Sequence, residues 1–106
     1  MNKKLETLVN ALKETKLKDL VVYDLDKTSP FFDYIVVCTA QNKRQLNSAV
    51  SLLWEKNIEY DHIEGTGESG WILVDMNDII FNIMSEEMRE QFQLDNVYIK
   101  YKKTDI

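Results

Sequence analysis

Apolar residues fall along this chain in two rhythms, one helical and one alternating. Leu5, Leu8, Val9 and Leu12 recur at i, i+3, i+4 and i+7 with Lys3, Lys4, Glu6, Lys13 and Glu14 between them, which predicts an amphipathic first helix. Residues 20–25, a Leu-Val-Val-Tyr-Asp-Leu run, read as a strand; Asp26-Lys27-Thr28-Ser29-Pro30 ends it, because Pro30 biases Ser29 away from helix. Residues 33–39 form a second strand whose unbroken Tyr-Ile-Val-Val-Cys character suits a central position buried on both faces. Asn42 and Gln45 make a capping pattern for a second helix with the stripe Leu46, Ala49, Val50, Leu53 and Trp54, and Asn57 suits its end. Residues 58–63 alternate as an exposed strand does, and residues 65–70, which hold all three glycines, must be a loop. Ser85 caps a short helix through Glu86, Glu87, Met88 and Phe92, with its acidic residues at the positive end of the helix dipole. Residues 96–101 predict a last edge strand, with Lys102-Lys103 as a frayed tail.

The strongest pattern is residues 71–84, two apolar strands joined at Asn77-Asp78, where Asn tolerates the left-handed backbone of a tight turn. With Met76 opposite Ile79, alternation puts Ile72, Val74, Met76, Ile79, Phe81 and Ile83 on one face, which is wholly apolar and must be core. The other face carries Trp71, Leu73, Asp75, Ile80, Asn82 and Met84. Four of these six are apolar, more than a half-exposed hairpin needs, so something covers them. Either a helix of the same chain or a partner protein satisfies that requirement.

The predicted order is helix, strand, strand, helix, strand, hairpin, helix, strand. That is an α/β (α+β) fold, a mixed sheet of about five strands flanked by helices, and residues 1–106 are expected to make a single domain. The 44% apolar and 29% charged content is that of an ordinary globular protein. A net charge of −5 argues against DNA or another phosphate backbone as partner and favours a basic one. One Cys excludes an internal disulfide, Met1-Asn2-Lys3-Lys4 leads into an amphipathic pattern and not an apolar signal segment, and no run approaches membrane-spanning length. The expectation is a cytoplasmic protein with no membrane partner.

Three motif matches are weak. Asp24-Leu25-Asp26-Lys27-Thr28 after a strand looks like the first motif of haloacid-dehalogenase-type phosphatases, but the later Lys and acidic pair are missing, and the same residues make a self-satisfied turn. Residues 65–70 fit G-x-G-x-x-G, yet a strand follows where a helix N-terminus must meet pyrophosphate, and Glu68 sits where phosphate would. Asp75, Asn77 and Glu86 fall at positions of a calcium loop whose obligatory glycine is Ile80 here. With His62 the only His and Cys38 the only Cys, no zinc site of several such ligands can form; His62 reads as an exposed strand residue and Cys38 as core. No catalytic residue, cofactor or metal is expected; the alternative is a metal-dependent phosphatase or nucleotidyl-transfer enzyme using Asp24 and Asp26.

Taken together, Ser29 and Pro30 with residues 31–39, Arg44-Gln45, residues 70–84 and Glu86-Glu87-Met88-Arg89 resemble the ribosomal silencing factor family, also called the Iojap or DUF143 family. The similarity runs in order from about Leu12 to Tyr98. It departs from the family run at Asn77, Asn82, Val97-Tyr98 and Gln41-Asn42-Lys43. The resemblance implies a nucleotidyltransferase-like fold without catalytic residues and a non-enzymatic translation repressor. Such a protein binds the large ribosomal subunit through the protein numbered fourteen on its intersubunit face, blocks joining of the small subunit, and lowers translation under nutrient limitation. A homodimer is a further expectation, and contact with ribosomal RNA stays open. It also turns the hairpin's second face into the expected partner surface: Trp71 as anchor, Leu73, Ile80 and Met84 as apolar surround, and Asp75 with Asp78 as pairing groups for Lys or Arg.

Overall fold

The computed structural model describes residues 2–104. Helix α1 (Lys3–Lys13) begins where the Asn2 side chain accepts a hydrogen bond from the Leu5 N–H, and it buries Leu5, Leu8, Val9, Ala11 and Leu12. Strands β1 (Lys18–Asp24) and β2 (Tyr34–Ala40) pair antiparallel, and β2 has six consecutive residues, 35 to 40, at 2% exposure or less, as a central strand should. Helix α2 (Lys43–Glu55) starts at Asn42, whose side chain takes the Gln45 N–H. It ends at Asn57 in the left-handed region, φ 54°. There the Asn57 N–H reaches the Trp54 carbonyl and the Ile58 N–H the Leu53 carbonyl, the paired bonds of a Schellman cap.

That cap explains one departure from the sequence pattern. Ile58 is 6% exposed because it closes the end of α2, so the expected strand at residues 58–63 shrinks to β3 (His62–Glu64). The hairpin β4 (Trp71–Asp75) and β5 (Ile79–Ser85) has the register that alternation demands, with Val74 across from Phe81, Asp75 from Ile80 and Trp71 from Met84. Asn77 sits at φ 73° in its turn.

After β5, Ser85 caps helix α3 (Glu86–Phe92) by accepting from the Met88 N–H. Gln93 in the left-handed region then breaks the chain into a short helix α4 (Leu94–Val97). The last strand expected at residues 96–101 is therefore misplaced. Leu94, Tyr98 and Tyr101 pack inward from a helix and turns, and the edge strand is β6 (Lys102–Lys103), which pairs with Tyr23 and Asp24 of β1.

The strands form one six-stranded sheet in the order β3-β4-β5-β2-β1-β6. Only β2 and β5 run parallel, so the sheet is mixed, as expected. Helices α1 and α2 lie on one face, over Val22, Val36, Cys38, Ile72, Val74, Phe81 and Ile83. Helices α3 and α4 lie on the other, over Tyr23, Ile35, Val37, Ile80 and Met84.

Candidate functional site

The hairpin's second face is where the chain's own helices run short. At one end, the Trp71 indole N–H donates to Asn82 Oδ1 at 3.0 Å, and its ring lies 5.1 Å from that of Phe92 on α3. Asn82 is 3% exposed, so its amide oxygen fixes the indole from inside the sheet. The backbone leading into Trp71 is equally constrained: Ser69 bonds around the turn to Thr66 and Trp71, and a β-carbon on Gly65, at φ +88°, would collide with the Trp71 carbonyl. Leu73, across from Asn82, is half-buried. Beside these two residues opens a cleft of about 350 Å³ lined by Glu64, Gly65, Ser69, Trp71, Leu73 and Met88.

Two of the expected surface residues are core. Met84 is 0% and Ile80 8% exposed. Helix α3 folds back directly after β5 and α4 follows it, so Met88, Leu94 and Tyr98 pack into the same cluster as Met84 and Tyr23. The chain's own helices cover the β5 side of this face, with Ile80 and Met84, while Trp71, Leu73 and Asp75 across from it on β4 stay half-buried and Phe92 is 46% exposed.

Asp78 is in the expected turn but is already engaged within the chain. It sits in the hairpin turn, 3.0 Å from the Lys4 ammonium and hydrogen-bonded by the Asn2 amide, which joins it to α1 and not to Trp71. Burial pushes its carboxyl up, but the hydrogen bonds from Lys4 and Asn2 outweigh that and hold it below the ordinary aspartate value. Asp75 remains on the second face, with its Oδ1 accepting from the Asn77 N–H at 3.0 Å.

A clamp that the pattern does not reveal holds α3 and α4 to the sheet. Arg89, 12% exposed in its side chain, donates to both oxygens of Asp95 at 3.0 and 3.1 Å and to Thr39 Oγ1 at 2.9 Å. The Tyr23 hydroxyl donates to Asp95 at 2.5 Å. The Arg89 hydrogen bonds, helped by Tyr23 against the cost of burial, hold Asp95 below its ordinary value; burial and the Asp95 carboxylate push Tyr23 up. Arg89 was legible only as part of a motif, and Phe92 only as a helix residue. Their partners come from other elements.

The weak motifs resolve into local structure. The Asp26 N–H bonds Asp24 Oδ1 at 2.7 Å and the Thr28 hydroxyl the Leu25 carbonyl at 2.6 Å, with Asp26 and Lys27 both at positive φ: a turn that satisfies itself. Among the described residues no group of three or more His, Cys, Asp or Glu side chains is placed to hold a metal ion, and no helix is long and apolar enough to cross a membrane. Cys38 is buried on β2, which pushes its thiol up to about 12, while His62 is exposed on the edge strand β3 with β4 and β5 between them.

Known proteins match this geometry and sequence over most of the chain. A crystal structure of a Chromobacterium violaceum protein superposes with a TM-score of 0.82 over 98% of this chain and 92% of that one, at 23% identity. One from Bacillus halodurans gives 0.77 over 96% of each, at 20% identity. In sequence, the ribosomal silencing factor RsfS of Haemophilus influenzae is 31% identical over 88% of this chain and 95% of its own length. A Mus musculus protein named for mitochondrial assembly of the ribosomal large subunit is 24% identical over 89% of this chain and 44% of its own. The model of the family described as ribosomal silencing factor during starvation matches residues 1–106, and with that match over the whole sequence the chain belongs to the ribosomal silencing factor family.

Proposed function

We propose that this protein is a non-enzymatic regulator of translation that binds the large ribosomal subunit through the open half of the hairpin face. Trp71 is the anchor, Leu73 and Phe92 the apolar surround and Asp75 the pairing group for a basic side chain of the partner, the ribosomal protein numbered fourteen. Bound on the intersubunit face, the chain stands where the small subunit must dock, and translation falls when nutrients are short. The observation that carries this reading is the Trp71–Phe92 pair left half-covered by the chain's own helices in a protein of this family. An aromatic anchor with an acidic neighbour is the composition that meets a basic surface well. The chain's net charge of −5 adds long-range attraction to the same partner.

Sedimentation with purified large subunits tests it. The expected result is co-migration with free large subunits, lowered yield of joined ribosomes, and loss of both for Trp71→Ala, Leu73→Lys and Asp75→Lys variants whose thermal unfolding shows them folded. Unchanged co-migration of all three folded variants would place the interface elsewhere, and unchanged subunit joining with saturating protein would remove the blocking step.

A further inference from the structure

A second aromatic feature lies on the opposite side of the sheet, at the end of α2. Trp54 is 71% exposed, the most open of the chain's larger aromatics after Phe31, and the Tyr60 ring stands nearly edge-on to it, 6.4 Å away at 73°. Both rings line an open cleft of about 460 Å³ that also receives Glu59, Asp61, Asn57 and Lys4. The backbone beneath the cleft is hydrogen-bonded at both ends. The Schellman cap holds the chain at Asn57 and Ile58, and the Asp61 N–H bonds the Asp75 carbonyl of the hairpin at 2.8 Å.

Its charge is unbalanced. The Lys4 ammonium is committed to Asp78 at 3.0 Å and to the Met76 carbonyl at 2.7 Å. Glu59 and Asp61 are exposed and have no ion-pair partner among the described residues. An open indole face beside two unpaired carboxylates is complementary to a flat cation. Guanidinium stacks on the indole while its N–H fork reaches carboxylate oxygens; an ammonium is a strongly hydrated point charge and gains less from the ring. A phosphate or nucleic-acid ligand would meet Glu59 and Asp61 with like charge.

We propose that this cleft takes an arginine side chain from a basic polypeptide segment laid across the end of α2. The cleft is open on one side, so the segment's backbone stays outside while the guanidinium seats on Trp54. The site stands on the face of the sheet away from Trp71 and does not depend on the large-subunit reading.

The test uses the full chain, isotopically labelled, whose two Trp residues give separate indole N–H signals in NMR spectra. An acetylated tri-arginine amide is titrated in, with the tri-lysine peptide and free arginine as comparisons. The expected result is movement of the Trp54 signal that persists in the Asp75→Lys variant, binding of tri-lysine weaker by about fivefold, and a loss of about tenfold in Trp54→Ala. Because Trp54 is so exposed, that variant should keep its fold; the Glu59→Gln, Asp61→Asn double variant keeps the ring and should lose binding as well. A Trp54 signal that ignores tri-arginine overturns the site. Equal affinity for tri-lysine reduces it to unspecific charge attraction, and saturation by free arginine at the peptide's concentration overturns the polypeptide ligand.

Discussion

The two faces of the hairpin are made by the same two strands, yet one is sealed and the other is left partly open. On the inner face Ile72, Val74, Met76, Ile79, Phe81 and Ile83 are all 2% exposed or less. On the outer face exposure runs from 0% at Met84 to the half-open Trp71 and Leu73. Composition does not separate them so cleanly, since the outer face is itself mostly apolar. Helix length does. At 1.5 Å per residue, the 11 and 13 residues of α1 and α2 span roughly 16 and 20 Å, while the 7 and 4 of α3 and α4 span roughly 10 and 6 Å. Short helices cover part of a sheet, and the uncovered part is what a partner can use.

The contrast can be broken first on the sealed side. Phe81→Ala should cost about 3–5 kcal/mol in urea unfolding, the range for emptying a buried aromatic site. Met84→Ala should come next at about 2–4 kcal/mol, because it too is fully buried. A loss below about 0.5 kcal/mol would instead make Met84 a surface residue and restore it to the interface.

Arg89→Ala should follow at about 1–3 kcal/mol by releasing α3 and α4 from the sheet, and its signature is pH dependence. Asp95 and Asp78 both titrate below their unfolded values, so their stabilisation is complete above about pH 4 and is lost as pH falls through the folded values. Without Arg89 the acid-side slope should become shallower. Tyr23 and Tyr34 titrate above theirs, so the opposite limb falls as pH rises past about 10. A slope identical in wild type and Arg89→Ala would show that the clamp carries none of it. The smallest effect on stability belongs to the open half: Leu73→Lys should change unfolding by less than about 1 kcal/mol. A much larger loss in the same urea titration would mean that Leu73 serves the core.

Most of the fold was readable because its signals are local. Asn42 and Ser85 each accept the backbone N–H three residues on, as their spacing predicts, and Asn2 does the same at the start of α1, where no cap was expected. Two elements were not readable for the opposite reason. Residues 96–101 have strand-like composition, but Leu94 and Tyr98 find their burial against Tyr23 and Met84, which a window of sequence cannot contain. Residues 58–63 alternate like a strand, but Ile58 is consumed by the end of the helix before it.

For the candidate site the division is finer. Alternation and a left-handed Asn77 determined the hairpin's register, and with it which residues share each face, because side chains on a strand can point only two ways. Which of Trp71, Leu73, Ile80 and Met84 remain open was decided only in three dimensions. There Arg89 and Asp95 hold two short helices over Met84 on β5, while Trp71 and Leu73 on β4 stay half-buried beside a cleft that Met88 also lines.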